Sequence, residues 1–171
     1  MALSACGSGE EPAPTESPAP TASPTLTPTP EPTPEPTQVP PEKVNPLTGL
    51  PIGGEATANQ RPVAIMLNNI KEALPQQGNS QADILYEVLA EGGITRMLGV
   101  YQSMEGVGEV GSVRSARPYY LELALGLDAI YLHAGGSDEA YADIKAWDVT
   151  ALDCVRTTAY SATFWRDAQR R

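Results

Sequence analysis

Residues 7 to 43 set the outer limit on what this chain can fold into, because they hold 12 of its 17 prolines, interleaved with Thr, Ser, Ala and Glu. A stretch of that composition buries too little apolar surface to offset the entropy of ordering it. It reads as a disordered Pro/Thr/Glu-rich linker. Its repeated Thr-Pro and Glu-Pro pairs favour extended polyproline II backbone, which at ~3.1 Å per residue would reach on the order of 100 Å. Folding is left to residues 44–171, enough for one modest core. The linker takes six of the 21 acids and one of the 11 bases, so the remainder carries 15 acids against 10 bases, a net charge of −5. That balance argues against nucleic acid, or an anionic membrane surface, as the main partner. Eight of the 11 bases are arginine, which suits local recognition of an anion inside an acidic domain.

The two cysteines lie in different settings. Leu3-Ser4-Ala5-Cys6 resembles the lipobox of bacterial lipoprotein signal peptides. The resemblance implies that Cys6 is lipidated, with diacylglycerol on its thiol and palmitate-type acylation, and becomes the mature N-terminus. Only Met1 and Ala2 precede the tetrapeptide, so residues 1–6 are expected to be the remnant of a signal peptide whose charged and apolar parts are missing. A Pro/Thr tether directly behind it suits a spacer off a membrane. No other run is long and apolar enough to span a bilayer. The location this implies is a bacterial cell membrane, lipid-anchored on the extracytoplasmic face. Cys154 then lacks an intramolecular partner and reads as a buried structural thiol, with only Arg156 as a basic neighbour in sequence.

Within the foldable part, Asn45-Pro-Leu-Thr-Gly-Leu-Pro51 is a turn-rich opening, and Val63-Ala-Ile-Met-Leu67 is an apolar run of strand length without alternation. Such a run suits a strand covered on both faces. Residues 84–102 read as a hairpin, two β-rich arms about Gly92-Gly93. With those glycines as a two-residue loop, Leu89 would face Arg96, and Glu87, Glu91 and Arg96 would share one face. Tyr86, Val88, Ala90, Met97 and Tyr101 would form the core face. Ser115 is placed to cap a helix beginning near Ala116, with Pro118 in its first turn. Ala129–His133 reads as a short strand, and Ser137-Asp-Glu opens a further helix with a good cap. Residues 148–163 give no clear signal, and residues 164–171 read as a helix-like piece without a C-cap. The fold class expected is α+β or mixed α/β, a single domain with helices packed on a mixed sheet.

Gly106-Val-Gly-Glu-Val-Gly111 spells a Gly-x-Gly-x-x-Gly, but a hairpin precedes it and Glu109 would meet a pyrophosphate, so a flexible loop is the better reading. Arg114-Ser-Ala-Arg117 at a helix start is more informative, since free N–H groups and guanidinium groups both favour an anion. The arginines could equally be matched internally by Glu87, Glu91, Glu109 or Glu122. His133, the only histidine, ends a strand just before Gly135-Gly136-Ser137. It reads as a satisfied core histidine first and as a ligand or catalytic group second. A catalytic version would use Ser115 or Ser137 as nucleophile with Glu87, Asp128 or Asp138 behind the imidazole, but the spacing singles out no triad. No ligand-spaced cluster suggests a metal, and no motif calls for a cofactor.

Taken together, Asn45-Pro-Leu-Thr-Gly49, Arg61–Asn69, Ala82-Asp-Ile84, Glu91-Gly-Gly-Ile-Thr-Arg96, Gly111–Tyr120 and Asp128–Gly136 resemble the YerB-like family of bacterial lipoproteins, across residues 45–167. That family's domain is classed as of unknown function. The resemblance implies a membrane-anchored protein outside the cytoplasm, and an N-terminal domain that a further C-terminal region normally follows, so that this chain would be a fragment. It supplies no catalytic residues. The function expected is a lipid-anchored binding or accessory domain for a cell-wall component or envelope protein. Its anion site would comprise Arg96, Arg114, Ser115, Arg117, His133, Gly135, Gly136 and Ser137. The competing expectations are an envelope hydrolase or transferase using His133 with Ser115 or Ser137, and a structural partner in an envelope complex.

Overall fold

Val63–Asn68 forms β1, the central strand of the computed structural model, which describes residues 43–52, 55–157 and 163–168. Every residue of β1 after Val63 is buried, as an apolar run without alternation requires when both faces are covered. β3 (Thr95–Tyr101) lies antiparallel on one side and β4 (Ile130–His133) parallel on the other. β2 (Ile84–Leu89) pairs antiparallel with β3, and β5 (Ala151–Asp153) pairs parallel with β4, giving the order β2-β3-β1-β4-β5. The mixed sheet with a hairpin across 84–102 is therefore present. All described residues fall in one unit, Val39–Arg171. The lipobox and nearly all of the linker lie outside the described residues.

The two faces of the sheet are covered differently. Helices α2 (Pro118–Gly126) and α3 (Asp138–Ala146) contribute Tyr120, Leu121, Ala124 and Ala140 to a core with Ala64, Met66, Leu98, Val100 and Tyr131. On the opposite face Ile65, Leu67, Met97 and Tyr101 pack against Ala82, Val107, Val110 and Val113, which come from loops. A short helix α1 (Glu55–Asn59) precedes β1, and the buried Gln102 amide closes its C-terminal end by donating to the carbonyls of Thr57 (3.0 Å) and Gln60 (2.8 Å). The opening turn is fixed in a similar way. Asn45 is buried and donates from its side chain to Asp83 (2.7 Å), whose other oxygen accepts from the Gln102 N–H (2.6 Å).

The hairpin register differs from expectation by one residue. Leu89 faces Thr95 and Val88 faces Arg96, because the connection is a three-residue 3-10 turn, Glu91–Gly93, rather than two glycines. Gly92 and Gly93 both have φ near +75°, which suits glycine. A one-residue shift exchanges the faces of one strand relative to the other. Arg96, Leu98 and Val100 thus join Tyr86 and Val88 under the helices, while Glu87 shares the opposite face with Met97. Glu87 and Arg96 are on opposite faces, and Glu87 instead accepts from Thr95 Oγ1 (2.6 Å) and Asn69 Nδ2 (2.9 Å).

Two helix expectations are also corrected. Ser115 does not cap α2, whose N-cap is Arg117 with Pro118 at the first helical position and no side-chain cap. The backbone from Ser112 to Ala116 is extended because it bonds to neighbouring strands. Ser137 does cap α3, accepting from the Ala140 N–H at 3.2 Å, and acids occupy the first turn. Within the expected helix 164–171, the described residues 164–168 are not helical.

Candidate functional site

β1 and β4 pair only over Val63–Ile65 and Ile130–Leu132, and then they part. The extended segment 112–116 fills the widening gap. On one side Asn68 N–H donates to Ser112 O and Arg114 N–H donates to Met66 O, both at 2.9 Å. On the other, Ala134 N–H donates to Arg114 O and Ala116 N–H to Gly135 O, again at 2.9 Å. This wedge stands at the carboxyl ends of parallel strands, where loops gather and ligand sites form in sheets of this kind. It brings Arg114 and Ser115 alongside Ala134, Gly135 and Gly136, through strand pairing rather than through a helix N-terminus.

The same register sorts the arginines. Leu67 lies opposite Val113, so Arg114 leaves the backbone on the face that Met66 and Asn68 share. Asn68 in turn faces Arg96 across the β1–β3 pair. Arg96 is buried, donates from Nη1 to Ser115 O (3.3 Å) and pairs through Nη2 with Glu91 (3.3 Å). Arg117 also engages Glu91, through Nε to Oε1 and through Nη2 to Oε2 (3.2 Å), while its Nη1 donates to Ala116 O (2.7 Å). The hydrogen bond from Arg117 does most to hold the Glu91 carboxyl below its ordinary value, and both guanidinium charges add to this. Burial, and then the charge of Arg117, push Arg96 below its usual value, although arginine stays charged.

Arg114 differs from the other two. Among the described residues its guanidinium has neither an ion pair nor a hydrogen-bond acceptor, and its Nε is buried with no partner. Arg96 Nε and Asn68 Oδ1 are also buried and unpartnered. Arg96 and Arg117 therefore share the one carboxylate of Glu91, and Arg114 adds a third guanidinium with no acid paired to it among the described residues, leaving positive charge in excess at this end of the sheet. A buried unsatisfied donor costs about 1–3 kcal/mol, a cost the described contacts do not offset at Arg114. Glu109, another expected partner, accepts from Gln77 Nε2 at 3.3 Å instead.

His133 is buried, with its ring stacked on Tyr131 (centroids 5.4 Å apart) and edge-on to Tyr141 (6.0 Å). Its Nδ1 lies 2.8 Å from Gly135 O, so that nitrogen carries the proton. Burial holds the imidazole below its ordinary pKa of 6.5. Ser115 Oγ donates to Ala134 O (3.1 Å) and Ser137 Oγ caps α3, so among the described hydrogen bonds neither hydroxyl engages His133. What organises this turn is Asp153, at the end of β5, which the sequence did not single out. It accepts from the N–H groups of Gly135 (3.0 Å) and Val155 (2.9 Å) and from Tyr141 OH (2.5 Å). Burial alone would raise its pKa, but these donors outweigh burial and hold it below the usual value. Burial, aided by Asp153, pushes Tyr141 up to about 12, and Arg156 lies over its ring 3.5 Å from the centroid.

Beyond the ends of β4 and β5 is a cavity of about 630 Å³. Its wall includes Gln77, Glu109, Ser112, Arg114, Ala134 and Cys154, with the chain from Thr163 to Asp167 on the far side. Cys154 is half-buried, not sealed in the core as expected. Burial raises its pKa first and Asp153 raises it further, which suits an unreactive thiol. Arg117 and Ser137 belong elsewhere, to a shallower hollow of about 390 Å³ where Glu91, Glu122 and Glu139 also sit. The expected eight-residue site therefore divides: Arg96, Arg114, Ser115, Gly135 and Gly136 adjoin the wedge, His133 lies beneath, and Arg117 and Ser137 front an acidic hollow.

The model of the family described as "Protein of unknown function (DUF3048) N-terminal domain" matches residues 47–171. A Bacillus subtilis (strain 168) protein, provisionally named as the lipoprotein YerB, is 43% identical over 122 residues, which are 71% of this chain and 35% of that protein. The crystal structure of YerB from Bacillus subtilis superposes with a TM-score of 0.64 at 37% identity, over 74% of this chain and 42% of that one. This chain thus spans well under half the length of the relatives it matches.

Proposed function

Because the chain belongs to the DUF3048 N-terminal-domain family, one similar member of which is named a lipoprotein, we propose that it is a bacterial lipoprotein held to the membrane through lipid on Cys6. In this reading it lies on the extracytoplasmic side. Its folded part serves there as a binding or accessory domain that holds an anionic group of a cell-wall component or envelope protein beside Arg114. One observation carries the site: Arg114 is a guanidinium without an acidic partner among the described residues, half-buried beside a second one, Arg96, whose only acid is shared with Arg117. Carboxylate or phosphate is the natural complement of such a donor. The cavity whose wall Arg114 joins supplies room.

Arg114→Gln keeps much of the side-chain length and removes the charge. Binding of the protein to cell-wall extracts and soluble anionic wall fragments should weaken by about tenfold or more, equivalent to ~1.4 kcal/mol, with little change in thermal stability. Equal binding by the variant and the unaltered protein, measured by co-sedimentation and titration calorimetry, would remove Arg114 from the site.

A further inference from the structure

We infer that the cavity beyond β4 and β5 is a saccharide-binding cleft, and that its occupant is a sugar chain carrying a carboxylate. The second half of this statement rests on the Arg114 reading; the first does not. The volume, about 630 Å³, lies within the range of about 300–1,000 Å³ typical of small-molecule sites. The chemistry of the wall narrows the class. Trp165 is part of that wall and is 62% exposed, an indole left open beside a cavity. An aromatic ring presents a flat apolar face with a negative quadrupole, which suits the C–H face of a pyranose. Gln77 and Glu109 stand in the same wall, already joined at 3.3 Å. Planar amide and carboxylate groups of this kind donate to and accept from vicinal hydroxyls in a bidentate way.

The wall is tied together beside Gln77 and Glu109. Gln77 N–H donates to Gly111 O (2.9 Å) and Gly111 N–H to Gln77 O (3.1 Å), tying the loop before β2 to the loop after β3. Charge decides against the alternatives. The wall holds Glu109 and Asp167 as well as Arg114 and Arg166, so a polyanion would meet carboxylates, and an apolar ligand would cover charged side chains. A polar ligand with hydroxyl groups throughout and one acidic substituent fits both signs. It would set ring faces on Trp165, hydroxyls on Gln77 and Glu109, and its carboxylate on Arg114.

The test uses the whole chain, with Trp165 as an internal reporter and Trp165→Phe as its control. Two probes are titrated: chitotetraose, a neutral amino-sugar oligomer, and muropeptides released from peptidoglycan by lysozyme, which carry carboxylates. Both should change the tryptophan emission saturably, the muropeptides at lower concentration. Trp165→Ala and Gln77→Ala should each weaken both about tenfold, and neither should alter the melting transition much, since both lie in the cavity wall and outside the two core clusters. Arg114→Gln should abolish the preference for muropeptides and leave chitotetraose binding intact. If neither probe perturbs Trp165 and Trp165→Ala binds wall fragments unchanged, the cleft is not a saccharide site; a surviving Arg114 dependence would then leave the anion reading standing alone. Equal loss of both probes in Arg114→Gln would overturn this division of roles between Arg114 and the rest of the wall.

Discussion

Single side chains carry most of the specific chemistry, and His133 offers the cleanest prediction because it is the only histidine. The groups facing it are Tyr131, Tyr141, the Gly135 carbonyl and, by charge, Asp153 and Arg156. Burial lowers its folded pKa, so the unfolded chain takes up a proton near pH 6.5 that the native protein refuses. Stability therefore rises with pH across that window and falls as pH drops from about 7 towards 5. His133→Gln should be less stable at pH 7 by about 1–2 kcal/mol and should lose most of that slope, read from urea midpoints at several pH values. An unchanged slope would mean that the imidazole takes up its proton alike in the folded and unfolded chain, and that burial does not lower its pKa. The arginines and His133 could be picked from the sequence because charge and rarity mark them. Asp153, Gln77 and Asn68 could not, since their roles come from strand ends and loops brought together over tens of residues, a relation no local pattern records.

Elements were legible where hydrophobic period and caps agree. β1, α3 with its Ser137 cap, and the existence of the hairpin all follow from local pattern. The hairpin register did not, because Gly92-Gly93 is compatible with either a two-residue or a three-residue connection, and that single residue moves Arg96 between faces. The wedge 112–116 was hidden for a related reason: its helix-start composition is overridden by hydrogen bonds on both sides. The loop before β2 gives a prediction at this scale. Gly78 has φ +75°, and a Cβ there would meet Glu109 O at 2.9 Å and Val110 Cγ2 at 2.7 Å. Gly78→Ala should destabilise the domain by about 2–4 kcal/mol, combining left-handed strain with overpacking. It should also disorder the Gln77–Glu109 wall, so a loss of ligand response larger than the loss of stability explains would be visible below the melting transition. A variant as stable as the parent would show that the two loops are not packed as described.

At the scale of the whole molecule, an overall charge of −10 coexists with a small region where guanidinium groups outnumber carboxylates. Bulk charge predicts poor attraction to polyanions, and only local pairing reveals the exception. Among the described residues no helix is long and apolar enough to cross a membrane. The proposed function assigns attachment to Cys6 on its lipobox-like setting. In cells, Cys6→Ala should abolish metabolic labelling with palmitate and shift the protein from the membrane pellet to the soluble fraction. Retention in the pellet without label would assign attachment to something other than the lipid.

The wedge between β1 and β4 makes the chain unequally tolerant of changes in its own length. Between residues 103 and 106, ahead of the packed Val107 and Val110, a residue gained or lost changes only how far a loop bulges. Between 112 and 116 the same accident would invert an alternation, turning a valine out among guanidinium groups and driving an arginine into the oily layer beneath the sheet. Relatives that bind different partners should therefore differ in length before this segment and keep its residue count.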